Sequence, residues 1–223
     1  MDKRYAIFDM DGTLIDSMVF WKNLASEFLK SKGVTEIPDD ILKEIKAMTM
    51  TESAALFVQE FHLEGSPEQV AEEMNAMMDQ HYQKDIPLKA GVQNYLEQLH
   101  RAGTIMCVAS ATAEPLMEAC LKRLGVAHYF QFLLSCETVG AGKSKPDVYF
   151  ASAERLGARP EETAVYEDAL YAARTAKEAG FYVVGVYDDS ASGHWDELKA
   201  LSDEWIPVNH AFSLPPNLFV SSF

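Results

Sequence analysis

An alternation of short apolar segments and helical patterns, beginning after Pro87, constrains the fold of this chain most strongly. The predicted elements are, in order, helix 92–102, strand 105–109, helix 115–124, strand 132–134, helix 147–156, strand 164–166, helix 169–179 and strand 182–186. Each of these helices is followed at once by a glycine, which is typical of a helix end. Strands that alternate with helices predict an α/β fold with a doubly wound parallel sheet.

A further short strand, 5–8, precedes a long stretch of purely helical character. Apolar residues recur every three or four positions from Trp21 onward, and Ser66-Pro67-Glu68-Gln69 has the pattern of a capping box at a helix start. We find no strand pattern between 17 and 85. The simplest architecture is an α/β core of residues 1–15 and 87–223, with an all-helical insertion, 16–86. The tail after Trp205 has no clear pattern.

Composition and charge exclude several classes of protein. Hydrophobic residues make up 48% and charged residues 24% of the chain, which is typical of a globular protein. The net charge of -15 disfavours general nucleic-acid binding, because such a chain repels a polyanion. No apolar run approaches the length of a membrane span, and the N-terminus lacks the apolar core of a signal peptide. We therefore expect a cytoplasmic protein, with a monomer favoured and no membrane or nucleic-acid partner.

Polar residues follow several of the predicted strands, at the edge of a parallel sheet where ligands bind. The first strand ends in Asp9 and Asp11, the second in Ser110 and Ala111, and a later strand in Glu167-Asp168. Lys143 lies in a glycine-rich loop before a predicted helix start at Pro146, with Lys145 as a rival for the same role. These strand ends should converge on one crevice.

The types of these residues favour phosphate chemistry. One carboxylate can attack phosphorus, and a second carboxyl can protonate the leaving oxygen and later activate water. Two carboxylates beside a phosphate concentrate negative charge, so we expect Mg²⁺ as cofactor, with Asp168 as a plausible further ligand. Lys143 would neutralise charge on the phosphoryl group, and Ser110 would donate a hydrogen bond to a phosphate oxygen.

Four motifs in this order resemble those of the haloacid dehalogenase superfamily in its phosphatase form. They are Asp9-Met10-Asp11-Gly12-Thr13, then Ser110, then Gly142-Lys143-Ser144-Lys145-Pro146-Asp147, then Glu167-Asp168. The resemblance covers essentially the whole chain. It implies a Rossmann-like core, and the helical insertion resembles the four-helix cap of the β-phosphoglucomutase-like subgroup.

The same resemblance implies roles for individual residues. Asp9 would be the nucleophile and Asp11 the general acid and base. The carboxylates of Asp9 and Asp168 and the backbone carbonyl of Asp11 would hold Mg²⁺, with Glu167 acting around the metal. Ser110, Ala111 and Lys143 would bind phosphate.

The chain also departs from the pattern of the superfamily. The serine and glycine of the fourth motif are Ala169 and Ala172 here. Mutases of the subgroup carry a histidine at the position of Trp21, and their phosphate-gripping arginine has no clear counterpart in 44–52. Both absences favour a phosphatase over a mutase. Four residues of the insertion are candidates for reading the substrate: Trp21, Thr49, Met50 and Thr51.

The sequence thus predicts a Mg²⁺-dependent phosphohydrolase acting on a small phosphate monoester, either a sugar phosphate or a nucleotide-like metabolite, through an aspartyl-phosphate intermediate. Two alternatives stay open: a phosphosugar mutase, and a non-catalytic binding protein on the same fold. Dehalogenation is disfavoured, because Asp11 and Thr13 suit phosphate chemistry better.

Overall fold

The computed structural model describes residues 3–45, 48 and 50–207. The chain divides into two compact units, Met1–Ser17 with Ile86–Phe223, and Met18–Asp85. We call them the core unit and the helical unit. None of the described helices is long and apolar enough to cross a bilayer.

The core unit is built on a parallel sheet. Its strands are β1 (Tyr5–Phe8), β2 (Ile105–Ser110), β3 (Phe130–Ser135), β4 (Thr163–Glu167), β5 (Tyr182–Val186) and β6 (Glu204–Ile206). They lie in the order β3-β2-β1-β4-β5-β6, and every neighbouring pair is parallel. This confirms the predicted α/β fold.

The helical unit contains α1 (Met18–Ser31), α2 (Asp39–Glu44), α3 (Met50–Phe61) and α4 (Pro67–Lys84). The predicted capping box opens α4: the main-chain nitrogen of Gln69 donates to Ser66 Oγ at 3.3 Å, and that of Ser66 donates to Gln69 Oε1 at 2.9 Å. The predicted helix from 39 to 48 is described only as α2.

Helices on both sides of the sheet complete the core unit. They are α5 (Val92–Arg101), α6 (Glu114–Arg123), α7 (Cys136–Val139), α8 (Asp147–Leu156), α9 (Leu170–Glu178) and α10 (Trp195–Leu201). The central strands β1, β2 and β4 are buried along almost their whole length, as expected for a sheet covered on both faces. Phe8 stacks on Tyr166 at a ring distance of 4.1 Å, which packs β1 against β4.

The chain leaves and re-enters the core unit through two paired segments. The main-chain nitrogen of Asp16 donates to the carbonyl of Pro87, and that of Lys89 donates to the carbonyl of Leu14, both at 3.0 Å. Ile15 and Leu88 form an antiparallel bridge between these bonds. The two segments therefore run side by side.

Two elements near the end of the described chain have no counterpart in the sequence prediction. Both α10 and β6 follow β5, and β6 extends the sheet by pairing parallel to it. The strand is three residues long, and its central Trp205 is 52% exposed. So short and exposed a segment carries no run of buried apolar residues for the sequence to reveal.

Candidate active site

The carboxyl ends of β2, β1 and β4 bring the predicted polar residues together. These strands are neighbours in the sheet, and Phe8 of β1 is in register with Val108 of β2 and Tyr166 of β4. Asp9 follows Phe8 directly, and its main-chain nitrogen donates to the carbonyl of Tyr166 at 3.0 Å. Asp9, Ser110, Glu167 and Asp168 are all buried at this edge.

Lys143 is the lysine that reaches this cluster. Its Nζ donates to Asp9 Oδ1 and forms an ion pair with Glu167 Oε1 at 2.7 Å. Only 6% of Lys143 is exposed, whereas Lys145 lies on the surface. The structure thus places Lys143, rather than its rival, beside Asp9.

The ion pairs keep Lys143 charged in a buried setting. Burial alone would lower the pKa of this ammonium group, but the carboxylates of Asp9 and Glu167 outweigh burial and hold that pKa above its ordinary value. Burial also raises the pKa of the Asp9 carboxyl, which Lys143 partly offsets. Burial raises the pKa of Glu167 to about 7, again against the opposing effect of Lys143.

Three carboxylates at this edge could hold a divalent cation. Asp9, Glu167 and Asp168 each offer an oxygen, and these oxygens lie within 4.8 Å of one another. Burial, followed by the negative charges of Asp9 and Glu167, raises the pKa of Asp168 well above its ordinary value. Hard oxygen donors suit Mg²⁺, and a cation here would relieve the repulsion among the three acidic groups, so the residues present fit such an ion.

The side chain of Asp11 stands apart from this carboxylate group and is held by hydroxyl groups. Ser17 Oγ donates to Asp11 Oδ1 at 2.7 Å, and Thr112 Oγ1 donates to Asp11 Oδ2 at 2.7 Å. Ser110 Oγ makes a longer bond of 3.4 Å to Oδ2. Sequence reasoning gave no role to Ser17 or Thr112, because a lone hydroxyl is a common and unspecific residue in a loop.

The turn at Gly12 fits closely around Asp168. Gly12 has a φ of +82°, and a Cβ atom there would lie 2.5 Å from Asp168 Oδ2. Thr13 Oγ1 donates to Asp168 Oδ1 at 3.2 Å. Both the backbone conformation and the close approach therefore require glycine at this position.

Tyr149 is a further residue that the sequence did not single out. It lies in α8, is fully buried, and donates from its hydroxyl to Glu167 Oε1 at 2.8 Å. In the sequence it resembles any other core residue on an apolar helix face. Glu167 thus accepts bonds from both Tyr149 and Lys143 through the same oxygen.

The other predicted site residues have simpler surroundings. Ser110 Oγ accepts a bond from the main-chain nitrogen of Thr112 at 3.1 Å, and Ala111 is exposed beside it. In the helical unit, Trp21 Nε1 donates to Tyr82 OH at 3.1 Å. Met50, half-buried, and Thr51, exposed, open α3, whereas Thr49 lies outside the described residues.

Comparisons with known proteins agree with this geometry. A family model for haloacid dehalogenase-like hydrolases matches residues 6–186. The fructose-1-phosphate phosphatase of Escherichia coli (strain K12) is 28% identical over 204 residues, covering 83% of this chain and 98% of the relative. A phosphorylated carbohydrates phosphatase of Thermotoga maritima is 25% identical over 174 residues, covering 78% of this chain and 80% of the relative.

A solved structure has the same fold. The β-phosphoglucomutase of Clostridium difficile superimposes with a TM-score of 0.66 at 20% identity, covering 92% of this chain and 91% of that one. The family model spans most of the chain and includes the strand ends that carry Asp9, Ser110, Lys143 and Glu167-Asp168. The chain therefore belongs to the haloacid dehalogenase-like hydrolase family.

Proposed function

We propose that this hydrolase is a Mg²⁺-dependent phosphatase that acts on a small phosphate monoester, with a sugar phosphate as the leading substrate class. The observation that carries the proposal is the buried Asp9, which pairs with the ammonium group of Lys143 and lies beside the carboxylates of Glu167 and Asp168. This arrangement combines a nucleophile, a fixed positive charge and a set of cation ligands within one crevice.

Asp9 would attack phosphorus with a carboxylate oxygen, and the bond between phosphorus and the ester oxygen would break. Lys143 holds Oδ1 of Asp9 and stays charged, so it can also stabilise negative charge on the transferring phosphoryl group. Asp11 would donate a proton to the leaving alcohol. It would then take a proton from the water that attacks the aspartyl-phosphate, releasing inorganic phosphate and restoring Asp9.

Asp9, Asp168 and Glu167 would hold the metal, together with the backbone carbonyl of Asp11. When bound, Mg²⁺ would neutralise charge shared between the carboxylates and the phosphate. The hydroxyl groups of Ser17 and Thr112 donate to the Asp11 side chain and so orient it.

Water is the favoured final acceptor of the phosphoryl group. Trp21 stands where mutases of this family have a histidine, and its one ring donor is engaged by Tyr82. An indole ring neither accepts nor releases a proton at neutral pH. The curated relatives named above are phosphatases whose names give sugar phosphates or phosphorylated carbohydrates, which supports this substrate class.

Asp9→Asn tests the mechanism. We expect this variant to fold but to release no phosphate from a panel of sugar phosphates and p-nitrophenyl phosphate with Mg²⁺, and to trap no aspartyl-phosphate. Asp16→Asn is the matched control, because Asp16 is an exposed carboxylate in the same segment and should keep full turnover. Full turnover in Asp9→Asn would refute the mechanism.

The reaction products distinguish a phosphatase from a mutase. A phosphatase converts a hexose 1-phosphate into free sugar and inorganic phosphate in equal amounts. A mutase forms the isomeric sugar phosphate with little free phosphate. A wild-type chain that releases no phosphate from any metabolite of the panel would instead favour the non-catalytic binding protein.

A further inference from the structure

Lys89 follows the end of the insertion, and its ammonium group is unusually well supplied with hydrogen-bond acceptors. Its Nζ donates to the carbonyl of Gly12 at 2.6 Å, the carbonyl of Tyr187 at 2.7 Å and Asp188 Oδ2 at 2.7 Å. An ammonium group has three N–H donors, so these bonds use all of them. The side chain of Lys89 is 16% exposed and that of Asp188 only 4%.

The Lys89–Asp188 pair is charged. Burial alone would raise the pKa of Asp188, but the hydrogen bonds from Lys89 and Ser190, together with the charge of Lys89, outweigh burial and hold that pKa below its ordinary value. A buried pair of this kind is costly to break by removing one partner, because the remaining charge is left without compensation. The pair is therefore a fixed feature of the core unit.

The three acceptors of Lys89 lie in the segments that follow two different strands. Gly12 belongs to the turn after β1, and Tyr187 and Asp188 follow β5. In the sheet, β4 lies between β1 and β5. One nitrogen atom thus ties together the segments on either side of the strand that ends in Glu167 and Asp168.

The Gly12 turn is in direct contact with Asp168. The space for a Cβ at Gly12 is filled by the Asp168 carboxylate, with Oδ2 at 2.5 Å and Cγ at 2.9 Å from the ideal Cβ position. The next residue, Thr13, donates to the other oxygen of that carboxylate. A displacement of the turn would therefore move or loosen Asp168.

We propose that Lys89 is a positioning residue for the metal site, which holds the Gly12 turn and, through it, the carboxylate of Asp168. This inference rests on the proposed function, in which Asp168 is a metal ligand. Lys89 itself touches neither the metal nor the substrate. Partners that orient a ligand in this way commonly change metal affinity by 10-fold or more.

A purely electrostatic role for Lys89 predicts the opposite sign. Removing a positive charge near a cation site strengthens cation binding, and removing the negative charge of Asp188 weakens it. If Lys89 acts by positioning, Lys89→Met weakens metal binding. Asp188→Asn, which leaves both carbonyl bonds of Lys89 in place, then has only a small effect.

The experiment is a titration of the substrate-free protein with Mn²⁺, followed by electron paramagnetic resonance, with Mg²⁺ as competitor. We expect Lys89→Met to raise the dissociation constant of both ions about 10-fold. Asp188→Asn should stay within about 2-fold of wild type, since Lys89 keeps its bonds to the carbonyls of Gly12 and Tyr187 and so still holds the Gly12 turn. The control is Lys122→Met, which removes an exposed lysine paired only with Glu118 in the described contacts. Its affinity should equal that of wild type.

Circular dichroism and thermal unfolding show whether each variant is folded at the temperature of the titration. A merely structural role lowers the melting temperature of Lys89→Met without changing the metal affinity of the folded protein. If Lys89→Met does not fold, Lys89→Gln, which keeps one amide donor, takes its place. Unchanged or tighter metal binding in the folded Lys89 variant would overturn the inference and leave the proposed function intact. A wild-type protein that binds neither ion would overturn the metal site itself.

Discussion

Replacing Gly12 by alanine would place a methyl group against the carboxylate of Asp168. The new Cβ would lie 2.5 Å from Oδ2, 2.9 Å from Cγ and 3.3 Å from Oδ1 of that residue. Asp168 is only 6% exposed, so its side chain has little room to move away. The variant therefore tests whether the fit between the Gly12 turn and Asp168 matters for stability and for metal binding.

The free-energy cost of Gly12→Ala has a backbone part and a steric part, and a second glycine of the chain separates the two. Alanine at a φ of +82° costs about 1–2 kcal/mol. The reduced freedom of the unfolded chain offsets this cost by about 0.4–1 kcal/mol. The steric conflict with Asp168 adds about 1–3 kcal/mol, the usual range for overpacking a buried site. Gly103 has a φ of +81° and nothing within 4 Å of its Cβ position, so Gly103→Ala carries the backbone cost alone.

Urea unfolding of both variants, with and without Mg²⁺, measures the difference. Gly12→Ala should lose about 1–3 kcal/mol more free energy of unfolding than Gly103→Ala. It should also gain less stability from added Mg²⁺ than wild type does, because ligand-induced stabilisation falls as the dissociation constant rises. Equal losses in the two variants, with equal gains from Mg²⁺, would refute the reasoning.

Three further experiments test other parts of the core unit. Lys143→Met should lower the turnover number on p-nitrophenyl phosphate by about 100-fold or more, as expected for loss of a preorganised charge, whereas Lys145→Met should stay near wild type in the same assay. Gly185→Ala should lower the free energy of unfolding by about 1–3 kcal/mol in urea titrations, because its Cβ would lie 2.6 Å from Ser202 Oγ; a loss below 0.5 kcal/mol would contradict this packing. Burial raises the pKa of Cys120 to about 11, so its thiol should react with iodoacetamide at pH 8 far more slowly in the native protein than in urea, as peptide mass analysis would show; equal rates would contradict its burial.

The sequence predicted the fold well where local pattern and burial coincide. The bounds of β1 and β5 are Tyr5–Phe8 and Tyr182–Val186, as predicted, because each is a compact apolar run that the sheet buries. The helix Asp147–Leu156 also agrees, since Gly157 ends it with a φ of +70°. The hydrophobic pattern did not predict β6, because this strand is held by pairing with β5 rather than by its own apolar character.

The sequence identifies the site residues that belong to a motif, but it does not identify those that are defined only by long-range contacts. The spacing to Pro146 selected Lys143 over Lys145, and the structure brings Lys143 to Asp9 across a sequence separation of 134. Lys89 contacts Gly12 and Asp188 at separations of 77 and 99, and nothing in their local sequence marks that meeting.

The paired segments around Ile15 and Leu88 have a consequence for how such a protein can change over time. Since the chain departs from the core unit and returns to it along adjacent, hydrogen-bonded paths, the ends of the insertion are already close together. A segment with neighbouring ends can be exchanged, shortened or replaced without stretching the sheet or disturbing Asp9. Recombination could thus exchange the insertion as one unit while the core strands keep their places, and an engineer could graft the insertion of one relative into the core of another at the same two junctions.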